Sequence, residues 1–218
     1  MLLSFLGVFC LYFFETWAFA KASIPLVSFL TYAAGGITLI LCVVFLKERL
    51  AFTKALSFIF ILGGVAFLYM FEGNISGTKL GIILALLGGL GYALFIFFAK
   101  FLNIGSGLPQ LVWLFGFGSL YLFLAWGYEG FTLPSPSAIW PILALIIIPT
   151  IGGFWLTTKA VEAGHASNVQ IIETSDPLFA SLFAFWLFGE LLSVAGASGA
   201  ALIMLGLLLS LYKSKEKI

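Results

Sequence analysis

The sequence is poor in the residues that carry most chemistry. Its 218 residues include one histidine, two cysteines and only 9% charged side chains. His165 stands alone in a short polar break, so no metal-ligand set can be assembled and no metal or cofactor is expected. Cys10 and Cys42 lie inside apolar runs and read as small buried residues, not as a disulfide. The net charge is +1, and no basic patch interleaved with aromatics occurs, which argues against a nucleic-acid partner. No phosphate-cradling loop is present, so this stretch offers no means of ATP drive. Nor is there a paired histidine and acid, or a serine-histidine set, such as an enzyme would need. No basic region precedes the first apolar run, so Leu2 to Ala20 reads as a true span and not as a signal peptide.

What the chain has in abundance is apolar surface. It is 62% hydrophobic with a mean hydropathy of +1.19. So few polar side chains cannot cover a water-facing surface, and the lipid bilayer is the expected environment. Apolar runs predict eight helices, at about 2–20, 24–46, 55–71, 80–99, 109–128, 138–158, 166–189 and 191–212. With eight crossings both termini share a side. That side carries Lys47, Arg49, Lys54, Lys100, Lys159, Lys213, Lys215 and Lys217, against Lys21 and Lys79 on the other. The bias predicts both termini in the cytoplasm, in a multi-pass cell (inner) membrane protein. Trp17, Trp126, Trp140 and Trp186 fall near predicted outer ends, and Trp113 and Trp155 near inner ends, as an aromatic belt requires. Gly81, Ala85, Gly89 and Ala93 recur every four residues, as do Ala195 and Gly199, and both stripes read as close helix packing. Asn74-Ile75-Ser76 matches a glycosylation sequon, but its loop is so short that a tight turn is the better reading.

Polar residues inside the apolar runs are the candidate site. Glu173, Asp176 and Pro177 sit within the seventh run. An intramembrane carboxylate costs about 2.5–3.5 kcal/mol on insertion scales, so it usually faces a cavity or a partner helix. Pro177 lacks an N–H and frees the carbonyl of Glu173, which predicts a helix break there. Glu173 and Asp176 are three residues apart, hence on one helical face, and two acids so close in low dielectric should not both ionise. Two readings stand for the pair: it binds and releases a proton during transport, or Asp176 caps the break while Glu173 pairs with a neighbouring helix. Glu15 faces the same cavity or reaches water at the outer interface near Lys21. Thr31, Tyr32 and Thr38 either line the pathway or bond helix to helix. Pro149 frees the carbonyl of Leu145 and marks a hinge or cavity wall, with Pro141 as a second punctuation of that helix.

The chain also repeats itself. Trp17 to Leu50 and Thr158 to Leu192 each contain an Ala-Ser pair (Ala22-Ser23, Ala166-Ser167), a long apolar helix and a closing glutamate, Glu48 or Glu190. Gly64 and Gly206 follow those glutamates at the same distance, and Thr31 aligns with Glu173. Basic residues surround the first junction and not the second, so one copy is upside down relative to the other. Inverted repeats with a site between them are the pattern of secondary transporters. Glu48 and Glu190 read as structural residues at the interface, with no part in substrate binding.

Asp176-Pro177-Leu178-Phe179, Gly189-Glu190 and the glycine-containing last helix resemble the EamA family of the drug/metabolite transporter superfamily, with Lys47-Glu48-Arg49-Leu50 as the looser first copy and Gly35 in the proline's place. The resemblance implies an all-α transporter of two inverted five-helix halves. It divides the chain into 1–71, three helices of the first repeat, 80–212, the second repeat, and a cytoplasmic tail at 213–218. It implies two further helices before Met1, a permease or exporter of small metabolites such as amino acids or drugs working by alternating access, and no enzymatic activity. The rival expectation is a fragment or subunit whose cavity another chain completes.

Overall fold

The computed structural model describes residues 1–49, 51–72, 76–130, 133–189 and 191–212. Glu190, Leu50, the Asn74-Ile75 part of the sequon, and the tail with Lys213, Lys215 and Lys217 lie outside the described residues. The described residues are almost wholly helical: α1 (Leu2–Phe19), α2 (Ile24–Ala34), α3 (Gly36–Val44), α4 (Phe52–Glu72), α5 (Lys79–Phe101), α6 (Leu108–Glu129), α7 (Pro136–Ala163), α8 (Ala166–Glu173), α9 (Asp176–Phe188) and α10 (Val194–Tyr212). Six segments are long and apolar enough to cross a membrane: α1, α2 with α3, and α4 to α7. The seventh expected span is split into α8 and α9, and the apolar part of the eighth runs Val194–Ser210. All six tryptophans are exposed, as side chains that meet a lipid interface should be.

The small residues of α5 let two helices approach it from different sides. Gly88 and Gly91 face α1, where an added Cβ at Gly88 would meet the backbone of Leu11 and Glu15. Gly89 faces α2, where a Cβ would lie 2.6 Å from the Thr31 carbonyl oxygen, and Gly81 faces Lys21 and Ala22. The stripe read from the sequence is therefore the seat of α2. Phe95 and Ile96 of α5 are fully buried and anchor the largest apolar cluster, which also takes in Phe154 of α7 and Leu114 of α6.

Polar contacts tie the elements together at both ends of the bundle. At one end Ser23 N–H donates to the Ser76 carbonyl at 2.7 Å and Thr78 N–H to the Lys21 carbonyl at 3.0 Å. At the other, Lys100 Nζ donates to the carbonyls of Val161 (3.0 Å) and Glu162 (3.1 Å), satisfying the last turn of α7. Glu48 sits at this second end, over the start of α8. Its carboxylate accepts from the N–H of Ala166 at 3.1 Å and of Ser167 at 3.4 Å, and from the Ser167 hydroxyl. Glu48 is therefore a helix cap supplied from 118 residues away. The contact places the finish of α3 beside the beginning of α8, so α2–α3 and α8–α9 run in opposite senses.

Helices α4 and α10 make the second contact between the copies. Gly206 follows Gly64 by 142 positions, and the same spacing separates Ile61 from Ile203 and Ser57 from Gly199. Ser57 Oγ donates to the Gly206 carbonyl, while Gly64 lies against Gly199. Each contact is the other with its partners exchanged, as a two-fold axis between inverted units demands. Ile61 and Ile203 are both fully buried in this seam. The helix starts at Ile24 and Ala166 obey the same spacing. The two Ala-Ser pairs are thus two residues out of step and are not equivalent: His165, not Ser167, stands opposite Ser23.

Candidate functional site

Both long helices of the repeat are interrupted near their middles. Gly35 N–H bonds to the Tyr32 carbonyl at 3.0 Å and Thr38 N–H to the Gly35 carbonyl at 3.0 Å, tightening the join of α2 and α3. In the second copy the interruption falls at Thr174-Ser175, just before Pro177, and α9 begins at Asp176. Glu173 ends one helix and Asp176 starts the next, so the two acids do not share a continuous helical face as expected; the turn between them sets their relation. The hydroxyls of Thr174 and Ser175 bond back to the carbonyls of Gln170 and Ile172, which also accept the backbone N–H groups of the same two residues, so the turn is held twice at each point.

The two interruptions touch. Thr38 of α3 and Gln170 of α8 are buried and bonded at 2.9 Å, and Thr38 Oγ1 also lies 2.9 Å from the Ala93 carbonyl. A hydroxyl has one proton. That proton goes to the Ala93 carbonyl or to the Gln170 amide oxygen, and the two acceptors share it. Thr38 therefore bonds helix to helix, one of its two expected roles.

Glu173 is the centre of the polar cluster. Thr157 Oγ1 of α7 donates to its Oε1 at 2.6 Å, and Tyr92 OH of α5 donates to the same oxygen at 3.2 Å. Oε2 is buried with no hydrogen-bond partner. An orphaned carboxylate oxygen in such surroundings can take up a proton or accept from the N–H or O–H of a solute. Asp176 is exposed by surface area, within electrostatic reach of Glu173, Tyr32 and Tyr69. Tyr32 lies within the fields of Asp176, Glu15 and Glu173, which brings four of the expected site residues to one region. Thr31 lies beside Glu15, within reach of its carboxylate. Tyr12 OH donates to Thr150 Oγ1 at 3.3 Å on the wall formed by α7.

Pro149 does not break α7. Thr150 Oγ1 donates to the Leu145 carbonyl at 3.0 Å, taking up the acceptor that the proline frees, and Ile146–Gly153 continues with the wider hydrogen-bond pattern of a π-helix. A π-helical stretch also occupies Phe5–Phe14 of α1, at the corresponding place in the first copy. Gly64 and Gly206 lie in the α4–α10 seam and Glu48 caps α8, all away from the acid cluster. The sequence reading missed Tyr92, Thr157 and Gln170. Each is a single polar group on an apolar helix, and its meaning comes only from what it meets across the bundle. Among the described residues no cluster of histidine, cysteine or acid could hold a metal ion.

The sequence pattern of the EamA-like transporter family matches residues 79–212. An uncharacterized transporter of Archaeoglobus fulgidus is 27% identical over 159 residues, covering 67% of this chain and 53% of its own. The uncharacterized transporter YwfM of Bacillus subtilis is 26% identical over 175 residues, 79% of this chain and 59% of its own. The chain thus spans between half and three fifths of the length of these relatives. A solved crystal structure superposes with a TM-score of 0.82 at 18% identity, over 96% of this chain and 76% of its own, a likeness of fold.

Proposed function

Since the chain belongs to the EamA-like transporter family, we propose that it carries a small organic solute across the membrane as a secondary transporter, by alternating access between its two inverted repeats. The observation that carries this reading is the orphaned Oε2 of Glu173, buried where α5, α7 and α8 converge beside two interrupted helices. Irregular backbone at membrane depth is tolerated where it is buried in protein or lines a water-filled site. Metabolites such as amino acids fit a site that offers hydroxyl donors and a free carboxylate oxygen. Glu173 and Asp176 support proton coupling, with Glu15 and Tyr32 on the same pathway. The excess of lysine and arginine at the Glu48 end supports a cytoplasmic location for both termini. The test is uptake and efflux of a metabolite panel in proteoliposomes, with a pH gradient imposed and then collapsed. Accumulation of a solute that ceases when the gradient is collapsed is expected. No movement of any solute beyond that in empty vesicles would overturn the reading.

A further inference from the structure

Three carboxylates stand in the spans, and no positive charge stands with them. Glu15, Glu173 and Asp176 all lie within electrostatic reach of Tyr32, and Asp176 also of Tyr69. Among the described residues no lysine or arginine reaches any of the three acids. Glu173 is faced by Thr157 on α7, Tyr92 on α5, Tyr32 on α2 and Asp176 on α9. The two hydroxyls that bond to it, those of Thr157 and Tyr92, both donate to Oε1, so Oε2 keeps its full capacity to accept.

The places where interrupted helices usually hold an anion are already filled. A helix start inside a transporter draws an anionic group with its free N–H groups. At the start of α8 the carboxylate of Glu48 takes the N–H groups of Ala166 and Ser167. At the start of α9 Asp176 is itself the first residue of the helix. An anionic solute would therefore meet three acids, no base and two helix starts that carry carboxylates of their own. A cation meets the opposite. It finds an unpaired carboxylate oxygen, a second acid nearby, and the partly buried rings of Tyr32 on α2 and Tyr69 on α4.

We infer that the solute of this site is positively charged: an organic amine, or a like cationic group, pairs with Oε2 of Glu173, with Asp176, Tyr32 and Tyr69 as its further contacts. A proton and the ammonium then compete for one oxygen. Only one of them occupies it at a time, so the coupling to pH is an exchange of solute for proton. The inference takes from the proposed function that a solute enters here, and adds its charge.

The experiment measures equilibrium binding to the full chain in nanodiscs of zwitterionic lipid, with binding to empty nanodiscs subtracted. The probes are two matched sets: phenethylamine, phenethyl alcohol and phenylacetate, and hexylamine, hexanol and hexanoate. In at least one set the amine is expected to bind about tenfold more tightly than the alcohol, and the carboxylate more weakly than either. Lowering the pH from about 8 to about 6 should weaken the amine and leave the alcohol unchanged, because protons fill the same oxygen. Glu173→Gln should lower the amine's affinity about tenfold and abolish its dependence on pH. The comparison of probes on wild type stands whether or not that variant folds. Amines that bind no better than their alcohols in both sets, a carboxylate that binds best, or amine binding that ignores pH in wild type would overturn the inference. Selective, pH-dependent amine binding without flux in proteoliposomes would sink the transport reading alone. Flux of a carboxylate solute without amine binding would sink this inference alone.

Discussion

Gly64 lies against Ile203 as Gly206 lies against Ile61: a Cβ added at the first glycine would come within 2.8 Å of the Ile203 Cγ1, and at the second within 2.7 Å of the Ile61 Cγ1. One seam thus contains the same contact twice, read in opposite directions. Because lipid offers no hydrophobic drive to press helices together, close backbone approach and dense packing carry this association.

Filling either glycine should therefore weaken the seam to a similar extent. Gly64→Val and Gly206→Val are each expected to cost about 1–3 kcal/mol through overpacking. Unfolding in mixed detergent micelles measures this. A large loss at one site and none at the other would contradict the symmetric packing.

Glu48 supplies the start of α8 with a carboxylate that the helix's own sequence lacks. Glu48→Ala should lower stability by about 1–2 kcal/mol, the usual value of a helix cap. His165 lies 3.7 Å from the Glu48 carboxylate but is largely exposed, and His165→Ala should change little. Thermal unfolding of the two variants in detergent separates these outcomes.

Thr38 and Gln170 join the two interrupted helices through a buried bond. Thr38→Val leaves the Gln170 amide without this partner and should cost about 1–3 kcal/mol. Thr38→Val combined with Gln170→Leu should cost less than the sum of the single changes, because neither polar group is then stranded. A double-mutant cycle on unfolding free energies reads the coupling directly.

Transport should depend on Glu173 more than on Asp176. Glu173→Gln removes the orphaned oxygen together with its charge and is expected to abolish the response of transport to pH. Asp176→Asn, at an exposed position, should alter that response less. Rates and pH profiles that match wild type in both variants would remove these acids from the pathway.

The two repeats should report opposite sides of the membrane. Reporter fusions at Arg49 are expected to be active as cytoplasmic fusions, and those at Leu191 as external ones. Activity of both on one face would be incompatible with opposed repeats.

The fold was largely readable because its signals are local. Spans announce themselves as apolar runs, and Gly64 and Gly206 stand at matching distances past Glu48 and Glu190. The interruption at Pro177 was legible from a missing N–H, although the chain turns at Thr174-Ser175 just ahead of it. Pro149 shows the limit of that logic: the same missing N–H leaves α7 continuous, because Thr150 is placed to take the released carbonyl. Glu15 and Tyr32 were legible as polar residues in apolar helices. Thr157 and Tyr92 were too, but their number in such helices is high and nothing local separates those that meet an acid from those that do not. A signal for Thr157 did exist: it stands 142 positions after Glu15, the spacing that also separates Gly64 from Gly206.

The sequence by itself determined that this chain lives in a bilayer and is built on a repeated helical unit, since both follow from which residues tolerate lipid and at what spacing. Tertiary structure alone decided that Glu173 has one oxygen satisfied twice and the other not at all. That arrangement depends on Tyr92 and Thr157 arriving from two other helices, 81 and 16 residues away along the chain, and only packing brings such distant groups within the reach of one hydrogen bond.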